Sequence, residues 1–424
     1  MIQGHPLGVK PQGNALLEPD FCREKTMGQL GLLSDELLLT VLQELDGESL
    51  LSLAHTCKAL YAYCWFDELW KRVVYKQKTP SQWRGSWRKT ALGIDEEPKI
   101  DATSKVFSDN LYRPFELSQM NFREKIRQLN KHEIRHVKES ELDSEKFLND
   151  YYRSPFIAEL SKPIAAWTIQ DLVNKFGNEI FRQEYMDWPL NLYAEYMKSN
   201  MDETPLYLFD CRSKAHKALV FEVPLANVFG QDFFTLLGQD RPDHQWLIIG
   251  PKRSGSNFHK DPNGTSAWNS IVSGQKYWIM FPPHLNPPGI WTDAEQSEVT
   301  APVSLAEWFA AGFYEEALES EGFCHGITGP GECMYVPSGW WHAVVNLEEC
   351  IAMTGNFVPD PQLKNVLKFL RNKPDQISGF DNPDGLYDKF CALLGDKAPK
   401  STDPPVKKAK IDLTVSDAPF TFSF

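Results

Sequence analysis

The sequence predicts an α+β protein in which a small helical domain precedes a β-sandwich or barrel. Two observations predict this order. Between residues 34 and 75, apolar side chains recur at the spacing of amphipathic helices. From residue 206 onward, short apolar runs of strand length are separated by glycine, proline and asparagine, which is typical of a sandwich or barrel.

Length and composition place the chain among globular proteins. Its 424 residues suggest two or three domains, and 24% charged with 42% hydrophobic residues is ordinary for such proteins. The formal charge of −13 argues against a broad nucleic-acid interface. Neither a membrane span nor a secretory signal is expected. The eight cysteines form no CxxC pair, which favours reduced thiols over disulfides or a zinc site.

The first 77 residues divide into a leader and a helical block. Residues 1–28 are rich in glycine and proline and lack periodicity, so we expect a flexible leader. Residues 29–77 are predicted to form a small helical domain, in which Ser34 caps the first helix. One face of that helix is predicted to contain Leu37, Leu38, Val41, Leu42 and Leu45. A second helical stripe consists of Leu50, Leu53, Ala54, Cys57, Leu60, Tyr61 and Cys64.

A linker and a β-rich domain follow. Residues 78–136 are expected to pack on the domain after them, with Trp83 and Trp87 as packing residues. Within residues 137–360, the pattern predicts helices at 144–151, 168–176 and 190–198. It predicts strands at 206–209, 218–222, 246–249, 277–281, 333–336 and 350–354.

Three further features belong to the second half of the chain. Ser273 and Gly274 predict a hairpin turn between strands at 267–272 and 276–281. Residues 292–323 are acidic and predicted to be helical, as an insertion or lid at the mouth of a site. Residues 361–395 predict two amphipathic helices, and residues 396–424 a disordered tail. The tail contains Lys407, Lys408 and Lys410, which form either a weak nuclear-import signal or a solvated surface.

Two histidines and one aspartate suggest a metal site. In FHKDPNG, His259 and Asp261 alternate as strand residues do, so both project to one side. His342 ends the strand-like run in GECMYVPSGWWH. Two histidines and one carboxylate form the facial triad of ferrous oxygenases. With 10 histidines and 57 acidic residues, chance alone gives about 1.3 His-x-Asp/Glu triplets, so the surrounding sequence must carry the argument.

The helical block resembles an F-box. The stretch LLSDELLLTVLQELDGESLLSLAHTCKALYAYCWFDELWKRVV covers nearly the whole motif, with Ser34 where the family usually has proline. The resemblance implies docking on a Skp-type adaptor of cullin ubiquitin ligases. The alternative is a helical cap that only packs on the second domain.

The region from residue 100 to residue 360 resembles a JmjC domain of the phosphatidylserine-receptor type. The similar segments are VFSDNLYRPF, PLYLFD, GPKRSGSNFHKDPNGTSAWNSIVSGQKYW and PGECMYVPSGWWHAVVNLEECIAMTGNF. The resemblance implies a double-stranded β-helix, a jelly-roll barrel of the cupin type. It implies Fe(II) and 2-oxoglutarate as cofactors, with His259, Asp261 and His342 as catalytic iron ligands. Ser256, Asn269, Lys276 and Thr354 match positions that contact 2-oxoglutarate, and Tyr193 is a further candidate.

The resemblance implies a dioxygenase that hydroxylates a protein side chain. The product is either a hydroxylated lysine or a demethylated arginine or lysine, as on histones, and splicing or ribosomal proteins are other possible substrates. The alternative is a non-catalytic F-box receptor of a cullin ligase whose barrel only binds targets. The presence of all three ligand residues and Lys276 argues against this alternative. We expect location in the nucleus, with the cytoplasm as a second compartment.

Overall fold

The computed structural model describes residues 4–98, 100–127, 132–161, 167–220, 228–294, 296, 298–380 and 382–398. Helices dominate the first third of this chain and its C-terminal part. The helices of the first third are α1 Arg23–Met27, α2 Asp35–Gln43, α3 Gly47–Ala54, α4 Lys58–Cys64, α5 Asp67–Lys76, α6 Trp87–Leu92, α7 Asp109–Leu117 and α8 Phe122–Lys125. The later helices are α9 Ser144–Lys146, α10 Ile169–Phe176, α11 Leu190–Ser199, α12 Lys214–Leu219, α13 Leu305–Ala310, α14 Phe313–Glu319, α15 Leu363–Asn372 and α16 Leu386–Leu394.

The strands lie between α8 and α15. The strands that precede the acidic insertion are β1 Arg135–Lys138, β2 Phe156–Glu159, β3 Ile180–Gln183, β4 Met186–Pro189, β5 Leu208–Asp210, β6 Gln245–Gly250, β7 Gly255–His259, β8 Ser266–Ser273 and β9 Lys276–Phe281. Those within and after the insertion are β10 Trp291–Thr292, β11 Val299–Thr300, β12 Cys324–Thr328, β13 Glu332–Val336, β14 Trp341–Asn346 and β15 Cys350–Phe357.

Two facing sheets form the β-domain. One sheet has the order β1-β2-β13-β8-β15-β6-β5-β3-β4, and the other has the order β12-β9-β14-β7. From β6 to β9, and again from β12 to β15, the strands alternate between the sheets, apart from the small β10-β11 hairpin. This alternation is that of a double-stranded β-helix. The predicted α+β class, with a helical domain followed by a jelly-roll, is confirmed.

The predicted hairpin at Ser273 and Gly274 is wrong. The strands on either side of this turn, β8 and β9, pair in different sheets, so the chain crosses from one sheet to the other. Gly274 has a φ of 79°, and a Cβ there would lie 2.2 Å from the carbonyl oxygen of Glu349. Glycine is therefore required for the crossing. A turn signal in sequence does not say which sheet the next strand joins.

The predicted apolar face of α2 divides into two. Ser34 caps the helix as expected, because its hydroxyl accepts the amide N–H of Leu37. Leu38 and Leu42 are fully buried, whereas Leu37 and Val41 are 57% and 48% exposed. Leu32, three residues before the helix, is also exposed, at 67%. This helical domain therefore presents an uncovered apolar surface.

Two other predictions about the helices are also corrected. The second stripe belongs to two helices, because the His55 and Thr56 side chains bond to the carbonyls of Leu51 and Leu53 and end α3. Residues 214–219 are helical, where residues 218–222 were expected to form a strand. Ser213 starts this helix by accepting the amide N–H of His216. Residues 221–227 lie outside the described residues.

Part of the predicted leader is packed against the rest of the chain, whereas Leu16 and Leu17 are exposed. Leu7 and Val9 are buried, and Lys10 forms a parallel bridge with Phe107. Glycine and proline therefore mark turns of an ordered segment here. The predicted tail, apart from residues 396–398, lies outside the described residues, and so does its lysine cluster.

A buried polar cluster joins the helical domain to the β-domain. The carboxylate of Asp202 accepts hydrogen bonds from the Trp87 indole at 2.8 Å and the Tyr196 hydroxyl at 2.7 Å. The ammonium group of Lys71, on α5, lies 3.5 Å from the same carboxylate. Burial disfavours the charged form of Lys71, yet Asp202 and Glu68 hold its pKa above the ordinary value. One hydrophobic core also runs through both domains.

No described helix combines the length and the apolar character needed to cross a bilayer.

Replacing Lys71 with methionine should lower the free energy of unfolding by about 3 kcal/mol, because Asp202 would remain buried without its counterion. Urea denaturation at neutral pH measures this loss. The control is Arg182→Met, which removes an exposed ion pair with Asp187 and should cost under about 1 kcal/mol. Equal losses in the two variants would contradict the importance of the cluster.

Candidate metal centre and adjoining cavities

The pairing of β7 with β14 brings two histidines together. His259, the last residue of β7, is the register partner of His342 near the start of β14. Their ring centroids lie 4.1 Å apart. Two residues that are 83 positions apart in sequence therefore present their imidazoles to one point.

Asp261 completes a cluster of three. It follows β7 by two residues, and its Oδ2 lies 4.0 Å from Nε2 of His342. One potential ligand atom from each of His259, Asp261 and His342 lies within 4.8 Å of the other two. Within the described residues, this is the one group of three or more such side chains with the spacing of a metal site.

Backbone carbonyls and an asparagine orient the three side chains. Nδ1 of His259 lies 2.7 Å from the Asn257 carbonyl, and Nδ1 of His342 lies 3.2 Å from the Trp340 carbonyl. Because a carbonyl can only accept, each Nδ1 carries a proton, and Nε2 is the ring nitrogen left for a metal. Asn356 donates from its amide to Oδ1 of Asp261 at 3.1 Å. This contact orients the Asp261 carboxylate.

The electrostatics of the cluster fit a cation. Oδ2 of Asp261 is buried and has no hydrogen-bond partner among the described residues. Burial raises the pKa of Asp261, while His259 and Asn356 act in the opposite direction. Burial, aided by His259, lowers the pKa of His342 well below its ordinary value. An unpaired buried carboxylate oxygen beside two imidazoles is a donor set suited to a divalent transition metal.

Lys276 lies at the other end of the same cavity. It is 1% exposed and is the register partner of Asn346, four residues or about 13 Å along β14 from His342. Its ammonium group donates to Oδ1 of Asn346 at 2.7 Å and to the Tyr207 hydroxyl. Burial opposes its charge, but Cys350 and Tyr207 outweigh burial and raise its pKa. Asn346 and Tyr207 thus hold the buried ammonium group at a fixed position.

A cavity of about 220 Å³ between the sheets connects the cluster to Lys276. Asn269 has a buried Oδ1 without a partner among the described residues, and Thr354 donates to the Trp268 carbonyl at 2.7 Å. Trp278 and Val344 form apolar parts of its wall. The cavity is lined by all seven predicted site residues: Ser256, His259, Asp261, Asn269, Lys276, His342 and Thr354.

The tyrosine that lines the cavity is Tyr207 and not the predicted Tyr193. The Tyr193 hydroxyl contacts the carbonyls of Leu206 and Ile249, at 2.8 Å and 3.0 Å, and Tyr193 does not line the cavity. Tyr207 does line it and contacts Lys276. Sequence reasoning missed Tyr207, although it lies in the segment PLYLFD that carries part of the JmjC resemblance.

A second, larger cavity of about 610 Å³ lies on the outer side of the cluster and shares His259 and Asp261 with the first. Its walls come from the acidic insertion and from α15. Lys260, Lys368 and Lys373 line it. Burial and the nearby Lys373 ammonium lower the pKa of Lys260 to about 8. Of the two cavities that share His259 and Asp261, this outer one is the larger and has room for a peptide segment.

Comparisons with known proteins match both parts of the chain. Residues 246–357 match the family described as JmjC domain, hydroxylase, and residues 35–76 match the F-box-like family. The arginine-specific demethylase JMJ22 of Arabidopsis thaliana is 34% identical over 95% of this chain and 84% of its own length.

Two other relatives cover less of the chain. The bifunctional arginine demethylase and lysyl-hydroxylase psr-1 of Caenorhabditis elegans is 33% identical over 53% of this chain and 61% of its own length. The 2-oxoglutarate and iron-dependent oxygenase JMJD4 of Danio rerio is 31% identical over 32% of this chain and 31% of its own length. The predicted F-box and JmjC resemblances are confirmed.

Adding Mn²⁺ should stabilise the protein, because a cation would pair with the unsatisfied oxygen of Asp261. At a metal concentration about 100 times the dissociation constant, the free energy of unfolding should rise by about 2.7 kcal/mol. Thermal unfolding with and without metal measures this gain. Asp261→Ala should abolish it, whereas replacement of the exposed His55 with alanine should preserve it. Equal gains in both variants would place the metal elsewhere.

Proposed function

Because this chain belongs to the JmjC-domain hydroxylases, we propose that it is an Fe(II)- and 2-oxoglutarate-dependent dioxygenase that oxidises a lysine or arginine side chain of another protein. The relatives named as demethylases, lysyl-hydroxylase and oxygenase support this activity. The observation that carries the proposal is one cavity with a possible metal triad at one end and a buried lysine at the other.

The triad would hold the ferrous ion. Nε2 of His259, Nε2 of His342 and a carboxylate oxygen of Asp261 are the donors, and three protein ligands leave positions open. When bound, iron and 2-oxoglutarate supply the oxidation of an unactivated C–H bond, coupled to loss of carbon dioxide from the oxo acid. The carbonyls behind the two histidines keep both rings in the tautomer that binds metal.

Lys276 would hold the carboxylate of 2-oxoglutarate that lies farthest from the metal. A buried carboxylate needs a fixed cation or several donors, and Lys276 offers an ammonium group that Asn346 and Tyr207 orient. Ser256, Asn269 and Thr354 would add hydrogen bonds from the surrounding walls. Trp278 and Val344 form apolar parts of the wall between these groups and would limit the access of water to the reacting atoms.

One hydroxylation accounts for both possible products. A hydroxyl group placed on a side-chain carbon of lysine is retained. A hydroxyl group placed on an N-methyl group gives a hemiaminal, which releases formaldehyde and leaves the amine demethylated. The residues around the metal serve either reaction, because both require only that a C–H bond approach the same point.

The alternative of a non-catalytic receptor accounts for less of the structure. A binding module has no need for three convergent ligand side chains, an unsatisfied carboxylate oxygen and a buried lysine.

A role in a ubiquitin ligase is compatible with catalysis, because the F-box-like domain carries its own exposed surface. This surface consists of Leu32, Leu37 and Val41, and we propose that a Skp-type adaptor covers it. Nuclear location stays a prediction.

The purified, iron-loaded protein should convert 2-oxoglutarate to succinate when it is supplied with nuclear or ribosomal proteins. Mass spectrometry of those proteins distinguishes the products: an added oxygen on lysine indicates hydroxylation, and a lost methyl group on arginine or lysine indicates demethylation.

Lys276→Met should raise the KM for 2-oxoglutarate at least about 30-fold, since a buried carboxylate loses its cation. Lys252→Met, which changes an exposed lysine, should leave it unchanged. No succinate from the wild-type protein would refute the proposal.

Replacing Leu37 and Val41 together with serine should abolish co-purification of a Skp-type adaptor. Both side chains are exposed, so the helical domain should remain folded, as circular dichroism would check. Gln43→Ser changes an exposed polar residue of the same helix and serves as the control. Adaptor binding that survives the double substitution would exclude this surface as the docking site.

A further inference from the structure

The turn before the strand that carries His259 holds one of the two partners of Lys276. This turn, residues 251–254, joins β6 to β7, and the Ser254 hydroxyl donates to the Pro251 carbonyl within it at 2.7 Å. The same hydroxyl accepts the side-chain amide of Asn346 at 2.9 Å. Because Oδ1 of Asn346 accepts from the Lys276 ammonium group at 2.7 Å, the turn fixes the asparagine that orients the lysine.

Two main-chain hydrogen bonds connect the same turn to Asn346. The amide N–H of Arg253 donates to the Asn346 carbonyl at 2.8 Å, and the Asn346 amide N–H donates to the Ser254 carbonyl at 2.8 Å. Asn346 and Ser254 are both buried. The position of the Asn346 side chain therefore depends on the backbone conformation of residues 253 and 254.

Arg253 has a backbone conformation that residues other than glycine rarely adopt. Its φ is 76°, in the left-handed region. A non-glycine residue in this region costs free energy, and it persists where the surrounding contacts hold it there. The contacts of the arginine side chain are therefore of interest.

The guanidinium group of Arg253 attaches the turn to the loop between α11 and β5. Its Nη1 donates to the Asp202 carbonyl at 2.6 Å, and its Nη2 donates to Oδ1 of Asn200 at 3.4 Å. This loop is itself held in place, because the Asp202 carboxylate accepts from Trp87 and Tyr196. The turn is thus anchored to a part of the chain that has its own buried hydrogen bonds.

Arg253 is not placed to contact a molecule bound at the metal cluster. It lines neither of the two cavities that share His259 and Asp261. Its side chain is partly buried and donates to the loop at residues 200–202. Any effect of Arg253 on the site is therefore transmitted through the turn.

We propose that Arg253 is a positioning residue for 2-oxoglutarate. Its guanidinium group holds the turn in the conformation that fixes Asn346 and, through Asn346, the ammonium group of Lys276. This inference rests on the proposed function and adds a residue that acts on the cosubstrate without touching it. The metal end has separate supports, because His259, His342 and Asp261 are oriented by the contacts described above. Loss of the guanidinium group should therefore weaken 2-oxoglutarate binding and leave metal binding unchanged.

Calorimetric titration of the full-length protein with 2-oxoglutarate tests the inference. The protein is loaded with Mn²⁺ and kept under nitrogen, so that no turnover occurs. Arg253→Met should raise the Kd for 2-oxoglutarate about fivefold, because the hydrogen bonds that hold the turn are lost. Arg253→Lys keeps a positive charge and one donor group, and it should bind 2-oxoglutarate more tightly than Arg253→Met. Lys252→Met removes an exposed positive charge from the neighbouring residue and should have no effect.

Two further measurements separate positioning of Lys276 from a general loss of structure. The Kd for Mn²⁺, measured without 2-oxoglutarate, should be equal in the wild-type protein and in Arg253→Met. In a Lys276→Met background, Arg253→Met should change the Kd for 2-oxoglutarate by less than about twofold, since the group that it positions is absent.

Ser254→Ala provides a second variant that leaves the guanidinium contacts in place. It removes the hydroxyl that accepts from Asn346 and should raise the Kd for 2-oxoglutarate about threefold. Circular dichroism and urea denaturation check that each variant is folded. The inference thus stays testable if Arg253→Met does not fold.

Unchanged affinity for 2-oxoglutarate in both Arg253→Met and Ser254→Ala would overturn the inference and leave the proposed function standing. An equal loss of Mn²⁺ affinity, or a full fivefold loss in the Lys276→Met background, would also overturn it. Succinate formation is measured separately in air. The expected losses of binding without any succinate from the wild-type protein would support the positioning role and refute the proposed oxygenase. Absence of 2-oxoglutarate binding by the wild-type protein would overturn both.

Discussion

The antiparallel pairing of β7 with β14 is the constraint on which the rest of the site depends. It places His342 opposite His259 and, because side chains alternate along a strand, it also directs Val344 into the same cavity and Asn346 to Lys276. A slip of one residue in this register would turn both His342 and Asn346 away from the interior. Glycines that no other residue can replace support the register: a Cβ at Gly255 would lie 1.9 Å from the Val344 carbonyl oxygen.

The interior of the barrel contains a buried lysine and a buried aspartate that differ in how completely they are hydrogen-bonded. Lys276 has oriented partners in Asn346 and Tyr207, whereas Asp261 keeps one oxygen unpaired although Asn356 bonds to the other. Burying an unpaired carboxylate is costly, so the fold carries a local instability that a cation would relieve. The polar groups are fixed before any ligand arrives, which lowers the cost of ordering them on binding.

The sequence predicted the fold class and the composition of the cavity better than the connections between elements. The sequence alone suggested four site residues, because histidine, aspartate and lysine within a segment that resembles a known family indicate metal or anion binding. These residues are His259, Asp261, His342 and Lys276, and their roles stay predictions. The contact of Tyr207 with Lys276 could not be foreseen, because it depends on how β5 and β9 meet across the barrel. Periodicity likewise placed Leu37 beside Leu38 without showing which one faces the core. Ser273 and Gly274 predicted a turn, but they did not show that the next strand joins the other sheet.

The cluster around Asp202 affects the distance between a protein bound at the helical domain and the mouth of the barrel. Lys71 of the helical domain forms an ion pair with this carboxylate and Trp87 of the linker donates a hydrogen bond to it, so buried polar contacts join the two domains. A protein bound at the outer surface of α2 would then be held at one distance and one orientation from the mouth of the barrel. An assembly built on this chain would therefore select among substrates by geometry, since a reactive side chain that lies too near or too far from the anchoring point could not enter the barrel without dissociating first.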